Sequence, residues 1–253
     1  MDRPDLSREK LVNTLRQFSI VNQLFSCHRR LLKRYIIADM LKERRHSRRL
    51  LDVGAGGCDI ARWLIKTCRH RGLQLDITCI DHDPRVVEYA RSRTSDVPGI
   101  EIRCAEAMEI DMFNERFDYV LANHLLHHLG SSDVETILKK ISNVCDRVFL
   151  VNDLLRCYHS YLAFTIIAGI LFRRSFAFTD GRISIRKGFT RHEFLEMTGK
   201  MEMEGTTIVS TAFPGHIYIV NCRDSVDSSG NDRRIFHGFD KRQAGAERTE
   251  QVD

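Results

Sequence analysis

Apolar residues recur at helical spacing in the first part of the chain. Between residues 6 and 43 they follow a three- and four-residue period that is interrupted near residues 18–22. This pattern is typical of amphipathic helices, and the interruption predicts two of them rather than one. We therefore expect residues 1–48 to form a helical cap on the domain that follows.

Short apolar runs that alternate with helical patterns follow this segment. Strands are predicted at 49–53, 75–80, 100–104, 117–122 and 147–151, and helices at 59–71, 84–93 and 133–145. Pro84 suits the first turn of a helix. Alternation with short connections predicts an α/β fold in which a parallel sheet is flanked by helices.

An apolar segment comes after the fifth predicted strand. Residues 161–172 are uncharged and are followed by Arg173 and Arg174. The segment is too short to span a bilayer, which takes about 20 apolar residues. We interpret it as a helical lid within an insertion at about 154–189, with a peripheral membrane contact as the alternative.

The last part of the chain closes the sheet and then becomes polar. Residues 190–193 have the capping-box pattern before a short helix, and strands are predicted at 206–211 and 216–222. Residues 224–253 are rich in glycine and charge, which predicts a disordered tail. The domain itself is therefore expected at 49–223.

Composition restricts the class of protein without identifying it. The chain has 253 residues, of which 43% are hydrophobic, and eight cysteines that form no Cys-x-x-Cys pair, so we expect one main domain with reduced, buried thiols. No apolar run follows a basic start, which predicts an unsecreted, cytoplasmic protein. The net charge of +5 is concentrated before residue 50. Such a cluster would attract nucleic acid, anionic lipid or an acidic substrate, but without a nucleic-acid motif we interpret it as a solvated helix face and expect no nucleic acid partner.

A glycine-rich turn directly after the first strand carries the first chemical signal. The run is Leu-Leu-Asp-Val-Gly-Ala-Gly at residues 50–56. A dinucleotide fingerprint needs a third glycine, and Asp59 stands at that position. The carboxylate of Asp52 suits a ligand with a positive amino group better than a pyrophosphate. A second carboxylate, Asp81, ends the second strand, where it would accept hydrogen bonds from both hydroxyls of a ribose.

The glycine turn resembles the first motif of class I S-adenosylmethionine-dependent methyltransferases, an acidic residue followed by Gly-x-Gly-x-Gly, with Cys58 in place of the third glycine. The resemblance implies a Rossmann-like, seven-stranded, mostly parallel sheet whose last strand is antiparallel. It also implies that S-adenosylmethionine is the cofactor. By this resemblance Gly54, Ala55 and Gly56 pass close to its methionine part, and Asp52 supports that site.

Three further cofactor contacts are implied by the same resemblance. Glu106 takes the acidic place after the third strand, and the backbone of Ala107 lies beside it against the adenine. Asn123, at the end of the fourth strand, faces the cofactor. We add His82, which follows Asp81, to the residues expected at this site.

The candidate catalytic groups follow the fourth and fifth strands. Methyl transfer to oxygen usually requires a general base, and histidine suits this role because its ordinary pKa lies near neutral pH. His127 is the first choice and His124 the second, with His128 and Asp153 as further candidates. No set of histidines and carboxylates has the spacing of metal ligands, so we expect no metal.

The apolar insertion indicates the class of acceptor. It offers more apolar surface than a polar metabolite requires, which predicts a small apolar or aromatic acceptor. The segments at 151–154, 180–181 and 184–190 resemble bacterial small-molecule methyltransferases that are associated with polyketide, phenol or quinone-like products of secondary metabolism. An RNA or protein methyltransferase is the first alternative, although no Asn-Pro-Pro-Tyr motif follows the fourth strand. A non-catalytic S-adenosylmethionine-binding protein is the second.

Overall fold

The computed structural model describes residues 27–171 and 176–223, together with Asn13. A single seven-stranded sheet organises them, in the order β3-β2-β1-β4-β5-β7-β6. The strands are β1 (Arg48–Val53), β2 (Leu75–Asp81), β3 (Ile100–Cys104), β4 (Phe117–Asn123), β5 (Cys145–Leu154), β6 (Thr206–Ala212) and β7 (His216–Cys222). Strands β1 to β5 pair in parallel, and β7 runs antiparallel to both β5 and β6. The predicted Rossmann-like, mostly parallel sheet with an antiparallel last strand is confirmed.

Helices cover both faces of this sheet. The first, α1, runs through three consecutive segments, His28–Leu32, a π-helical Lys33–Ile37, and Ala38–Met40. The others are α2 (Asp59–Arg69), α3 (Pro84–Thr94), α4 (Ser131–Val144), α5 (Tyr158–Leu171), α6 (Phe176–Lys187) and α7 (Arg191–Gly199). Short 3-10 segments occupy Ala107–Phe113 and Leu126–His128.

Alternate residues of the central strands are buried in two separate cores. Leu50 packs on the face that α1 and α2 cover, whereas the next residue, Leu51, packs on the face that α4 covers. Strands that are buried on both faces need apolar residues at nearly every position, which explains the continuous apolar runs in the sequence. Each leucine buried in this way contributes about 1.5–3 kcal/mol.

Helix α1 belongs to the core of the domain. Leu32 and Ile36 are fully buried. Asp39, near the end of α1, accepts hydrogen bonds from the hydroxyl of Tyr119 in β4 and from Nε of Arg147 in β5, both at 2.9 Å. Of the two predicted N-terminal helices this is the second. The first, and the tail predicted at 224–253, lie outside the described residues.

The insertion after β5 contains two helices, α5 and α6, where the apolar run predicts one. Asp180 and Gly181 are typical turn residues, so the sequence does not predict a helix at α6. In the structure Gly181 lies inside α6, where a Cβ atom would overlap the ring of Phe164 in α5. The missing side chain thus allows the two helices to pack closely. In the part of the chain that is described, no helix has the length and apolarity needed to cross a membrane.

Candidate active site

The turn after β1 is shaped by three residues with left-handed backbone. Gly54, Gly56 and Cys58 have φ angles of 70°, 54° and 56°. The amides of Gly54 and Ala55 both donate to the carbonyl oxygen of Ile80, at 3.0 and 2.9 Å, which holds the turn against the end of β2. A Cβ atom on Gly56 would meet nothing within 4 Å, so this side of the turn is open to a ligand.

Cys58 occupies the position of the third glycine in the motif. A left-handed conformation costs an L-residue roughly 1–2 kcal/mol, which explains why the motif usually has glycine at this position. The side chain of Cys58 is 1% exposed and packs in the core beneath the turn. Burial of the thiol therefore offsets part of the backbone strain.

Asp52 is a buried carboxyl group at the end of β1. Its side chain is 2% exposed, and its Oδ2 has no hydrogen-bond partner among the described residues. Burial, and to a smaller extent the charge of Asp81, raises the pKa of Asp52 from 3.8 to about 7. A buried polar atom without a partner requires an explanation, and a cationic ligand group would supply one.

Asp81 connects the turn to the end of β2. Its Oδ2 accepts a hydrogen bond from the amide of Gly56 at 3.0 Å, and its Oδ1 accepts one from the amide of Asp83 at 3.1 Å. Burial raises the pKa of Asp81, although these two amides act in the opposite direction. The exposed ring of His82 lies next to it, with 3.7 Å between Nδ1 and Oδ1 of Asp81. Both carboxylate oxygens of Asp81 are thereby held in fixed positions.

The remaining predicted cofactor residues lie at the ends of the neighbouring strands. The amide of Ala105 donates to the carbonyl of Asp81 at 3.1 Å, which holds the end of β3 beside β2. Glu106 follows with an exposed side chain, and Ala107 begins a 3-10 segment. Oδ1 of Asn123 accepts a hydrogen bond of 2.8 Å from Nδ2 of Asn152.

His127 and Asp153 form a buried pair. Nδ1 of His127 lies 2.6 Å from Oδ1 of Asp153. Burial raises the pKa of Asp153, but the attraction of His127 and several hydrogen bonds outweigh it, so the net shift is downwards and the carboxylate is ionised at neutral pH. An ionised carboxylate only accepts hydrogen bonds, so Nδ1 of His127 carries the proton of this contact, and Nε2 is the ring nitrogen that Asp153 does not engage.

Asp153 also holds the turn on which His127 stands. Its Oδ2 accepts from the amides of Leu126, at 2.8 Å, and His127, at 3.3 Å. We call residues 124–128 the histidine turn. A Cβ atom on Gly54 would lie 3.0 Å from Cδ1 of Leu125, so the histidine turn is directly beside the glycine turn. The structure thus brings the first candidate base next to the predicted cofactor loop.

His124 is engaged differently. Its Nε2 lies 3.0 Å from Nε2 of His216, with the two rings stacked, and its φ angle is 56°. Burial, followed by the proximity of His216, lowers the pKa of His124 well below 6.5, and burial lowers that of His216 to about 4. Both rings are therefore neutral at neutral pH. The nitrogen that a base would use is occupied in His124, which favours His127 over it.

Sequence reasoning missed His216 and Asn152. Neither was assigned a role at the site, although Asn152 lies in the segment at 151–154 that carries the resemblance. Each reaches the site through strand pairing: Asn152 is opposite Asn123, and His216 is opposite Leu154. The available signal was a polar residue near the end of the apolar strand β5 and another at the start of the apolar strand β7. Among the described residues no group of three or more histidine, cysteine or acidic side chains has a geometry that would hold a metal ion.

A family model described as a methyltransferase domain matches residues 50–147. This range begins in β1 and ends in β5, so it contains the glycine turn, Asp81, the residues after β3 and the histidine turn. No curated protein sequence matches the chain.

Solved structures show the same fold at low sequence identity. Human N-acetylserotonin methyltransferase, in complex with SAM, aligns with a TM-score of 0.59 and 14% identity over 86% of this chain and 56% of its own. The plantazolicin methyltransferase BamL, in complex with a desmethyl plantazolicin analogue and SAH, aligns with 0.56 and 13% over 87% and 86%. Magnesium protoporphyrin IX methyltransferase from Synechocystis PCC 6803, with bound SAH, aligns with 0.52 and 13% over 78% and 83%.

Proposed function

Because this chain belongs to the class I S-adenosylmethionine-dependent methyltransferases, we propose that it methylates an oxygen atom of a small apolar or aromatic acceptor. A phenol, a quinone-like compound or a polyketide of secondary metabolism has the required chemistry. The observation that carries the proposal is the buried His127–Asp153 pair, which lies on a turn whose neighbouring residue, Leu125, packs against the glycine turn.

The residues at the ends of β1 and β2 fit the cofactor. Asp52 offers a buried carboxylate oxygen that lacks a partner, and the open side of Gly56 leaves room for a ligand. We assign Asp52 and the amides of residues 54–56 to the methionine part, and Asp81 to the ribose. Glu106, Ala107, Asn123 and His82 remain proposed contacts around the adenosine. When bound, the cofactor supplies an electrophilic methyl group on a sulfonium and a neutral thioether as leaving group.

The protein contributes position and a proton acceptor to this reaction. Transfer of a methyl group is an in-line displacement, so the acceptor oxygen must be held close to the methyl group and away from water. Nε2 of His127 takes the proton of the acceptor hydroxyl, and Asp153 keeps the ring in the required tautomer and stabilises the imidazolium that results. General-base assistance of this kind accelerates proton-coupled steps by about 10²–10⁴.

The lid supports an apolar acceptor. It is joined to the site end of the sheet because Phe189, just after α6, donates its amide to the carbonyl of Leu154 at 2.9 Å. Its side chains are largely apolar, which favours aromatic or long-chain ligands over polar metabolites.

The test of the base is a pair of substitutions, His127→Asn and Asp153→Asn. The asparagine of His127→Asn keeps an N–H donor that can replace Nδ1, and that of Asp153→Asn keeps the shape of aspartate but turns one acceptor into a donor, so thermal unfolding and calorimetry first check the fold and cofactor affinity of each variant. In a folded variant that binds the cofactor, we expect kcat to fall by about 10²–10⁴. Transfer of a labelled methyl group to a panel of phenols, hydroxyquinones and polyketides measures the effect. Activity within twofold of the unmodified protein would contradict the assignment of the base. Labelling of RNA or protein in place of the small molecules would contradict the proposed acceptor class.

Asp81 tests the cofactor site separately. Loss of two charge-assisted hydrogen bonds in Asp81→Ala should weaken S-adenosylmethionine binding by at least about 100-fold, and Asp81→Asn, which keeps one acceptor, by less. Asp76→Ala is the matched control, since Asp76 is an exposed residue of the same strand. Titration calorimetry measures the affinities. Equal affinity for the Asp81 and Asp76 variants would remove the ribose assignment.

A further inference from the structure

Helix α5 exposes a stripe of large apolar side chains. Its sequence has no charged residue apart from His159, and a helix that is apolar on every side is normally covered on every side. In the structure Tyr158, Leu162 and Ile166 are nevertheless 72%, 44% and 55% exposed. Because they are four residues apart, they lie within an arc of about 80° on one side of the helix.

Where the side chains of α5 are described, their contacts with the protein lie on other sides of the helix. The hydroxyl of Tyr161 accepts a hydrogen bond of 2.8 Å from Nε of Arg182 in α6, and the ring of Phe164 packs over Gly181. Ser160 lies against Gly215 in the turn between β6 and β7. None of these three residues falls within the arc of the stripe, so the stripe is not the side by which α5 packs on the domain.

Two further exposed apolar side chains lie on elements in contact with α5. Phe213, in the same turn as Gly215, is 86% exposed, and Ile183 of α6 is 47% exposed. The carbonyl of Phe213 accepts a hydrogen bond of 3.4 Å from Nη2 of Arg30, which brings α1 next to the turn. We call the exposed stripe of α5, formed by Tyr158, Leu162 and Ile166, the lid face.

The segments around the lid face are strongly basic. Residues 154–171 and 176–189 contain a single acid, Asp180, against four basic residues: Arg156, which pairs with Glu193 of α7, and Arg182, Arg186 and Lys187. Residues 27–38 contain no acid, and α1 exposes the side chains of Arg30, Lys33 and Arg34. An apolar face within a basic surround is complementary to the interface of an anionic bilayer, where apolar side chains enter the headgroup region and cations meet phosphates.

We propose that the lid face binds the surface of a bilayer that contains anionic phospholipid. Helix α5 has 14 residues. It is therefore suited to lie in the plane of the interface and not to cross it. A second copy of the chain is a poorer occupant, because a two-fold contact would bring two basic surrounds together. The inference goes beyond the proposed methyl transfer, and it gives an apolar acceptor dissolved in the bilayer a short path to the lid.

The test is co-sedimentation of the full chain with vesicles of phosphatidylcholine, with and without phosphatidylglycerol. We expect binding to the anionic vesicles that weakens in high salt, because screening shortens the range of the attraction. The double variant Leu162→Gln and Ile166→Gln should bind these vesicles at least about tenfold more weakly, since it removes apolar side chains from the interface. Leu195→Gln is the matched control, as Leu195 of α7 is 42% exposed and lies outside the lid face.

Charge is tested by a second matched pair. Lys33→Gln on α1 should weaken binding about fivefold, the contribution of one basic residue near an anionic surface. Lys139→Gln, an exposed lysine of α4, should leave it unchanged. Absence of vesicle binding, equal binding to vesicles without phosphatidylglycerol, or a dimer in light scattering that the double variant abolishes would each overturn the proposal. Cofactor affinity by calorimetry should be the same in all four variants, which separates this result from the proposed methyl transfer.

Discussion

The fold raises the pKa of Asp52 into the range where its ionisation can be coupled to ligand binding. Its raised pKa, about 7, keeps a large part of the carboxyl groups protonated at pH 6 to 7 in the absence of ligand. A cationic amino group beside Oδ2 would favour the ionised form and lower that pKa again. With the proposed contact to Asp52, binding of the cofactor would be linked to release of a proton.

This linkage predicts the pH dependence of cofactor affinity. With a pKa of about 7 in the free protein, only about a tenth of the molecules have Asp52 ionised at pH 6, so affinity should be about tenfold lower at pH 6 than at pH 8. Calorimetry at pH 6 in buffers of different ionisation enthalpy should show the released proton. Asp52→Asn should remove both effects and lower the affinity at pH 8. A pH-independent affinity in the unmodified protein would contradict the cationic contact.

The histidines illustrate how strongly local partners decide the role of a side chain. His124 and His127 are three positions apart in one turn, yet the first is paired with another histidine and the second with a carboxylate. Burial, to which the neighbouring His216 adds, lowers the pKa of His124, whereas the partner of His127 is a carboxylate whose own pKa is lowered. The second arrangement supports the proposed role of His127 as the proton acceptor.

At the scale of elements, the lid depends on one glycine at its return to the sheet. A Cβ atom on Gly188 would overlap the carbonyl oxygen of Leu154 in β5. The same crossing carries two main-chain hydrogen bonds, from Phe189 to Leu154 and from Arg156 to Phe189, both at 2.9 Å. The atom in the way belongs to the main chain of Leu154, which cannot move aside as the end of a flexible side chain can, so position 188 requires glycine.

Gly188→Ala is therefore expected to detach the end of the lid from β5. We expect a local destabilisation of about 1–3 kcal/mol, a normal range for a substitution that forces backbone apart. Hydrogen exchange should become faster across 156–189 while the protection of β1 and β4 is retained. Gly199→Ala is the control, since a Cβ atom there meets nothing within 4 Å. Unchanged exchange in the lid of Gly188→Ala would show that the crossing is not a fixed attachment.

At the scale of the molecule, buried ionisable groups determine how stability depends on pH. Burial lowers the pKa of His28 and His216 from 6.5 to about 4, and lowers that of His124 as well. Below pH 6.5 these three histidines bind protons in the unfolded chain but not in the folded one, which favours unfolding. Asp52 acts in the opposite direction between pH 3.8 and about 7, because there only the folded chain holds its proton.

Three histidines outweigh the two carboxyl groups whose pKa is raised, Asp52 and Asp81, so the free energy of unfolding should rise with pH from about 4 to 6.5. Each net proton contributes about 1.4 kcal/mol per pH unit. Urea unfolding at half-unit pH intervals measures the slope. His216→Gln should flatten the profile, whereas His46→Gln, at an exposed position, should not. A stability that falls with rising pH over this range would contradict the neutral, buried state of the histidines.

The sequence by itself determined the features that depend on local order. The period of apolar residues determined the alternating strands and helices. Asp52 and Asp81 could be placed at one edge of the sheet because parallel strands all end on the same side. The glycine turn was readable for a similar reason, since a left-handed backbone at Gly54 and Gly56 is a property of a few adjacent residues. The motif also located Cys58 at the position of the third glycine, but it did not predict the left-handed backbone of that residue.

Only the tertiary structure decided which side chains meet across the sheet. Asp153 reaches His127, His216 reaches His124 and Asn152 reaches Asn123 because β4, β5 and β7 pair in one particular register. A shift of one residue would turn each of these side chains to the other face. Helix α6 could likewise not be predicted from the sequence. Its Gly181 suggests a turn, whereas in the structure the missing side chain makes room for the ring of Phe164 in α5. These contacts join residues far apart in the chain, and no local pattern of the sequence encodes such a register.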